Sequence, residues 1–260
     1  MRHLRQLFAG LVSALALVSA QAAALEVLVP AYFYPAAGDS NWPRLTQAAK
    51  KVPVVAILNP NSGPGSRLDT AYLSAVQSLR TAGGKVIGYI PTGYGKRSLS
   101  SVTAQIEKYL AWYPVDGIFL DEMANQATSA KLNYYQAIYQ YIKARNPALR
   151  VIGNPGINTA EIYASLPAAD TLVVYESTGG AYPSYVQSAW NQAAAYTPSR
   201  FAELVYAATD LNAAMSRAAK QKTGMLYVTN RGANGSDPWS GLPAYWDAEV
   251  SRIATINATP

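Results

Sequence analysis

Eight compact apolar segments recur along this chain, and each is followed by a stretch with helical periodicity. The segments have the character of strands that are buried on both faces of a parallel sheet. They are residues 26–33, 52–59, 85–91, 115–121, 150–154, 171–176, 201–208 and 224–230. The helical patterns cover 42–51, 69–82, 100–113, 129–145, 158–166, 183–196, 210–222 and a last stretch around Trp246, Val250 and Ile253. Strict alternation in a chain of this length predicts a (β/α)8 TIM-type barrel, and a doubly wound open sheet is the alternative.

Residues 1–24 have the features of a secretory signal peptide. Arg2 and Arg5 precede an apolar stretch, and small residues offer cleavage sites after Ala22 or Ala24. A membrane anchor is the alternative, and it is disfavoured because the apolar run is short for a bilayer. We therefore expect a secreted or periplasmic protein without a membrane anchor, with a single domain over 25–260 that acts as a monomer.

Two absences restrict the chemistry. The chain has no cysteine, and its one histidine, His3, lies inside the expected signal peptide. This excludes Ser-His-Asp and Cys-His catalysis from the mature protein and leaves carboxylates as the main acid–base candidates. With no histidine or cysteine and no calcium-loop spacing of acids, we expect no metal and no cofactor. The formal net charge of +6 includes no block of basic residues, so we expect no nucleic-acid partner.

The acids can be sorted by their place on the predicted barrel, whose active site lies at the carboxyl ends of the strands. Glu26, Asp116, Asp170 and Glu203 fall at strand beginnings, and Asp69 and Asp210 fall at helix N-caps. Asp39 and Asp237 lie in loops after the first and last strands, from which they can reach the site but need not. Three acids stand at strand ends, namely Asp121, Glu122 and Glu176.

The segment "VDGIFLDEM", residues 115–123, ends on two adjacent carboxylates. Because successive strand residues point to opposite faces, we expect one of Asp121 and Glu122 to face the barrel mouth and the other to point sideways. Glu176 on the sixth strand can then face the first of them. Two carboxylates across a cleft are what glycoside hydrolysis requires. The alternative is a structural pair that accepts hydrogen bonds from loop backbone.

Polar and aromatic side chains surround these acids at the same predicted face. Amides can donate to and accept from sugar hydroxyls, and aromatic rings can stack on sugar rings. The expected substrate-binding residues are Tyr32, Tyr34, Asn59, Tyr89, Tyr94, Asn154, Asn230 and Trp239. Each also has a structural alternative, since Asn-Pro is ordinary turn chemistry and aromatic residues fill cores.

The series "VPAYFYP", "AILNPNSGPG", "VIGYIPTGYGKR", "VDGIFLDEM", "GNPG" and "DTLVVYES" resembles, in this order, the motifs of the spherulin-4-like family. The resemblance runs from the first to the sixth predicted strand. It implies a (β/α)8 glycoside hydrolase that acts on galactosamine-containing exopolysaccharides of biofilms and cell walls, with Asp121, Glu122 and Glu176 lining the active site. Relatives often carry a histidine near the end of the seventh strand, where this chain reads "LVYAAT".

Together with this resemblance, the sequence predicts an exported, endo-acting glycoside hydrolase, and the resemblance implies that its substrate is a galactosamine or N-acetylgalactosamine polysaccharide. The competing class is a carbohydrate-binding or structural surface barrel without turnover.

Overall fold

The computed structural model describes residues 23–259, and its centre is a closed barrel of eight parallel strands in sequence order. The strands are β1 (Glu26–Ala31), β2 (Val54–Leu58), β3 (Lys85–Pro91), β4 (Gly117–Asp121), β5 (Arg150–Gly153), β6 (Thr171–Thr178), β7 (Phe201–Tyr206) and β8 (Met225–Val228). The predicted (β/α)8 barrel is thus confirmed, and the open sheet is excluded because β8 pairs with β1.

Helices cover the outside of the barrel, with one interruption. They are α1 (Asn41–Ala49), α2 (Thr70–Thr81), α3 (Leu99–Trp112), α4 (Ser129–Arg145), α5 (Ile162–Ser165), α6 (Leu211–Ala218) and α7 (Trp246–Ala258). The helix expected over 158–166 is a single turn, and the helix expected over 183–196 is wrong. Between β6 and β7 the chain forms three short 3₁₀ turns at Tyr182–Ser184, Ala189–Gln192 and Pro198–Arg200.

The predicted N-caps explain where two helices begin. Asp69 accepts hydrogen bonds from the backbone of Ala71 and Tyr72 at the start of α2. Asp210 accepts one from Ala213 at the start of α6. Each carboxylate satisfies backbone donors that have no partner within the helix, which confirms the capping role.

Acids at the strand beginnings form ion pairs, as their position away from the predicted site suggests. Glu26 pairs with Arg150. Asp116 pairs with Arg80 at 2.9 Å, and Asp170 pairs with Lys143 at 2.7 Å. Glu203 is instead fully buried and accepts hydrogen bonds from Tyr182 and Gln187, which belong to the irregular segment between β6 and β7.

The expected signal peptide lies outside the described residues, apart from its last two positions, and it stays a prediction. Across residues 23–259, no helix combines the length and the apolar character that crossing a bilayer requires.

A buried acid on α7 accepts a hydrogen bond from the last strand, beyond the point where β1 and β8 pair. The ladder between β1 and β8 ends at Val27 and Leu226. Beyond it, the N–H of Val228 donates to Glu249 Oε1 on α7 at 2.8 Å. Glu249 is fully buried, and its Oε2 has no hydrogen-bond partner. Burial raises the pKa of Glu249 to about 8, so this carboxyl group is mostly protonated in the folded protein at neutral pH.

Glu249 should therefore make the protein less stable as the pH rises. Unfolding returns its pKa to the ordinary range, so its stabilising effect is complete at acidic pH and is lost between about pH 4.5 and 8. In Glu249→Gln, the fall in unfolding free energy from pH 5 to pH 8 should be smaller by about 3 kcal/mol. Urea unfolding at both pH values measures this difference, with the exposed Glu161→Gln as the control. Equal pH dependence in parent and Glu249→Gln would contradict it.

Candidate active site

Asp121, the last residue of β4, lies at the carboxyl end of the barrel and is held on both carboxylate oxygens. Tyr89 on β3 donates its hydroxyl to Asp121 Oδ2 at 2.6 Å. The amide nitrogen of Asn154, just after β5, donates to Asp121 Oδ1 at 2.7 Å. Two donors, from β3 and from the residue after β5, fix the orientation of the carboxylate.

Glu176 on β6 faces the same amide. Asn154 Nδ2 lies 2.5 Å from Glu176 Oε2, so one nitrogen donates to both acids. The nearest oxygens of Asp121 and Glu176 are therefore separated by at most the sum of the two bonds, 5.2 Å. The expectation that Glu176 faces the strand-four acid across the barrel mouth is confirmed by this contact.

The two acids differ in environment. The pKa of Glu176 is raised to about 7, chiefly by burial; the Asn154 hydrogen bond lowers this pKa, and the negative charge of Asp121 raises it by a smaller amount. Glu176 thus holds a proton in a substantial share of molecules at neutral pH. A carboxyl group in this state can donate a proton to a leaving group.

Glu122 points away from this pair. Its φ of +50° lies in the left-handed region, where the chain turns at the end of β4. Glu122 Oε2 accepts from the backbone N–H of Gly93 at 3.0 Å, and its carbonyl accepts from Tyr94 N–H at 2.7 Å. The expected division of the adjacent acids is confirmed in orientation, with Asp121 turned to the mouth and Glu122 to the loop after β3.

Thr92 and Tyr135 support the acids, and neither belongs to a recognisable sequence motif. The Thr92 hydroxyl lies 2.9 Å from the Asp121 carbonyl, 2.8 Å from the Glu122 carbonyl and 2.9 Å from the Tyr135 hydroxyl. Tyr135 on α4 also accepts from Ala124 N–H at 2.8 Å. A buried threonine directly after an apolar strand was the only available signal, and it is too common to be informative.

Tyr32 completes the group around the pair. Its ring meets the Tyr89 ring edge to face, with centroids 5.5 Å apart. Burial, followed by the charge of Asp121, raises the pKa of both Tyr32 and Tyr89 above the ordinary tyrosine range. Both phenols are therefore neutral around pH 7.

Several other expected substrate-binding residues hold loop backbone. Asn59 Oδ1 accepts from Gly63 N–H and Asn230 Oδ1 accepts from Ala244 N–H, both at 3.0 Å. Trp239 packs against Tyr206 and Tyr227 and is only 9% exposed. The Trp239 ring is therefore not open for stacking on a sugar ring.

Tyr34 and Tyr94 are exposed and could contact a substrate. Tyr34 is 53% exposed and packs edge to face on Tyr72, and Tyr94 is 56% exposed in the loop after β3. Neither has a contact with the acid pair in the hydrogen bonds and ring contacts described above. Their role in binding substrate stays a prediction.

Metal binding has no support in the described part of the chain. Within residues 23–259, no three His, Cys, Asp or Glu side chains group closely enough to hold an ion. The expectation that the reaction needs no metal stays a prediction.

Comparison with known sequences shows one family over most of the chain. The model of spherulation-specific family 4 matches residues 26–253. Spherulin-4 from Physarum polycephalum is 32% identical over 248 residues, which cover 90% of this chain and 71% of that protein.

Comparison with solved structures shows that glycoside hydrolases share the fold. Cyclic α-maltosyl-(1→6)-maltose hydrolase from Arthrobacter globiformis superposes with a TM-score of 0.56 at 10% identity, over 90% of this chain and 82% of that one. A GH18 chitinase from Pseudoalteromonas aurantia gives 0.53 at 12% identity, over 87% and 99%. A glucosidase from Croceicoccus marinus gives 0.51 at 14%, over 91% and 70%. At these identities the likeness shows the fold alone.

Proposed function

The chain belongs to the spherulation-specific family 4, and from this premise we propose that it is a glycoside hydrolase that cleaves an amino-sugar polysaccharide. The observation that carries the proposal is the pair of carboxyl groups at the barrel mouth, joined through one amide nitrogen. Glycoside hydrolysis needs two such groups on either side of the scissile bond.

The separation of the pair favours retention of the anomeric configuration. Inverting enzymes leave roughly 6.5–9.5 Å between the carboxyl groups to admit a water molecule, and retaining enzymes leave roughly 5–5.5 Å. The nearest oxygens of Asp121 and Glu176 are at most 5.2 Å apart. This limit, which applies to the closest oxygen atoms, supports the retaining arrangement.

The environments of the two groups assign their roles. Glu176, whose pKa is raised to about 7, is the general acid that protonates the glycosidic oxygen. Asp121 is held in a fixed orientation by two hydrogen bonds, and it is the nucleophile that bonds to the anomeric carbon. Glu122 is a positioning residue that holds the loop after β3 against the end of β4.

A galactosamine-containing polymer is the proposed substrate. The mouth of the barrel carries the carboxyl groups of Asp121 and Glu176, and a negative cleft attracts the cationic amino groups of partly deacetylated units. Export of the protein as a monomer that meets an extracellular polysaccharide is part of the proposal. It rests on the character of residues 1–24.

The direct test is incubation of the purified protein with acetylated and deacetylated galactosamine polymers. We expect new reducing ends, with the deacetylated polymer cleaved faster. Proton NMR at early times should show that the first-formed anomer has the configuration of the cleaved bond.

Two results would contradict the proposal. Binding of the polymer without new reducing ends would favour a carbohydrate-binding barrel. First formation of the opposite anomer would exclude the covalent role of Asp121.

A further inference from the structure

Both hydrogens of the Asn154 amide nitrogen are used within the protein. Its nitrogen has two hydrogens, and the two acceptors within reach are Asp121 and Glu176. Its oxygen is buried and has no hydrogen-bond partner. The reversed amide would place this oxygen against two carboxyl oxygens, which is repulsive, so the assignment of nitrogen and oxygen is chemically determined. The amide nitrogen has no hydrogen left for a sugar and the amide oxygen is buried, which differs from the expected role of Asn154 in substrate binding.

The backbone around Asn154 forms hydrogen bonds with the ends of both β4 and β6. Asn154 N–H donates to the Leu120 carbonyl at 2.8 Å, and its carbonyl accepts from Met123 N–H at 3.0 Å. These bonds flank Asp121 and Glu122 on both sides. Two residues later, the Gly156 carbonyl accepts from Glu176 N–H at 2.8 Å. Gly156 has a φ of +67°, which glycine adopts without strain, so the "GNPG" turn can reach β6.

We propose that Asn154 is a positioning residue whose amide follows the negative charge as it moves between Asp121 and Glu176 during the reaction. The inference rests on the proposed function. Before reaction, Asp121 is the anion and Glu176 is protonated. As the bond from Asp121 to the anomeric carbon forms, the bond to the leaving oxygen breaks and that oxygen takes the Glu176 proton.

The second half of the reaction reverses the charge. Glu176, now the anion, takes a proton from water, and the water oxygen bonds to the anomeric carbon as the bond to Asp121 breaks. One of the two acids is therefore anionic at each resting stage, and the other is neutral. The amide donates to both throughout, and its stronger, charge-assisted bond lies with whichever acid carries the charge.

A neutral donor suits this task better than a cation. A lysine or arginine between the acids would favour ionisation of both and would remove the proton that Glu176 has to donate. The other titratable groups described as facing the pair are Tyr32 and Tyr89, and both are neutral because their pKa values are raised. In the proposed reaction, Asp121 and Glu176 carry one negative charge between them. The Asn154 amide donates hydrogen bonds to this charge and adds no positive charge to the site.

Asn154→Leu tests the proposal, because leucine has a similar size and cannot donate. We expect kcat on the galactosamine polymer to fall about 10²-fold, as for a small misplacement of reacting groups, with KM almost unchanged. The Asn154 hydrogen bond lowers the pKa of Glu176, so its loss should raise that pKa. The alkaline limb of the pH–rate profile should therefore move to higher pH. The matched control is Asn133→Leu on the exposed face of α4, which should leave both parameters unchanged.

A second readout does not depend on turnover. Carboxyl ¹³C NMR, with Glu176→Gln to assign the signal, should show Glu176 titrating at higher pH in Asn154→Leu than in the parent. If the parent proves inactive on every polymer, this upward shift still supports the bridging role while the proposed function fails. If Asn154→Leu does not unfold cooperatively, Asn154→Ala is measured in its place.

Two outcomes would overturn the inference. A rise in KM with an unchanged pH profile would show that Asn154 binds substrate. An unchanged Glu176 titration in a folded variant would show that the amide does not interact with this carboxyl group in solution.

Discussion

Replacing Asp121 with asparagine is expected to lower kcat on the galactosamine polymer by roughly 10⁴-fold or more, the scale of losing a nucleophile. The asparagine amide cannot form the glycosyl ester intermediate, so this substitution alone should stop the reaction. The fold should persist. The Tyr89 hydroxyl, which donates to Asp121, can rotate to accept from the new amide, and the remaining oxygen can still accept from Asn154.

Reducing-end assays beside thermal melts measure this loss. Asp247→Asn is the matched control, because the side chain of Asp247, on α7, is 88% exposed and pairs with Arg44. Glu122→Gln provides a second comparison. Its new amide oxygen can still accept from Gly93 N–H, so we expect a much smaller loss than for Asp121→Asn. A folded Asp121→Asn that keeps most of the parent's activity would exclude Asp121 as the nucleophile.

Alternation of apolar runs and helical patterns was enough to predict the barrel, because each strand buried on both faces needs a helix to cover it. The predicted helix over 183–196, between β6 and β7, is wrong. Tyr182 and Gln187 both donate to the buried Glu203. On a helix these two residues would lie roughly 140° apart, so they could not reach one carboxyl group. The contact with Glu203 therefore determines the structure of this segment, and the pattern of apolar residues within the segment does not predict that contact.

The site was predictable in part for the same reason. Position on the strands was sufficient to find Asp121, Glu122 and Glu176, because parallel strands deliver their ends to one face. It was insufficient for the asparagines. Asn59 and Asn230 bond to loop backbone, whereas Asn154 bonds to the acids, although all three follow strands. Short amide side chains choose between local backbone and distant partners according to loop conformation, which spacing does not reveal.

Replacing Glu176 with glutamine should produce a loss that depends on the leaving group. On the polymer, whose leaving alcohol needs a proton, we expect kcat to fall roughly 10²–10⁴-fold. On an aryl glycoside of the same sugar with an acidic phenol as leaving group, the first step needs little protonation, so kcat/KM, which reports that step, should fall far less than on the polymer. Glutamine keeps the shape of Glu176 and can still accept from Asn154, so the melting temperature should change little.

The pH profile gives the sharper form of this prediction. In the parent, activity on the polymer should fall as the pH rises through about 7, because Glu176 loses the proton that it must donate. In Glu176→Gln this alkaline limb should disappear, since no group at that position titrates. Glu161→Gln, an exposed acid changed in the same way, should keep the limb of the parent. A folded Glu176→Gln that retains the limb, or that loses equal activity on both substrates, would show that another group is the general acid.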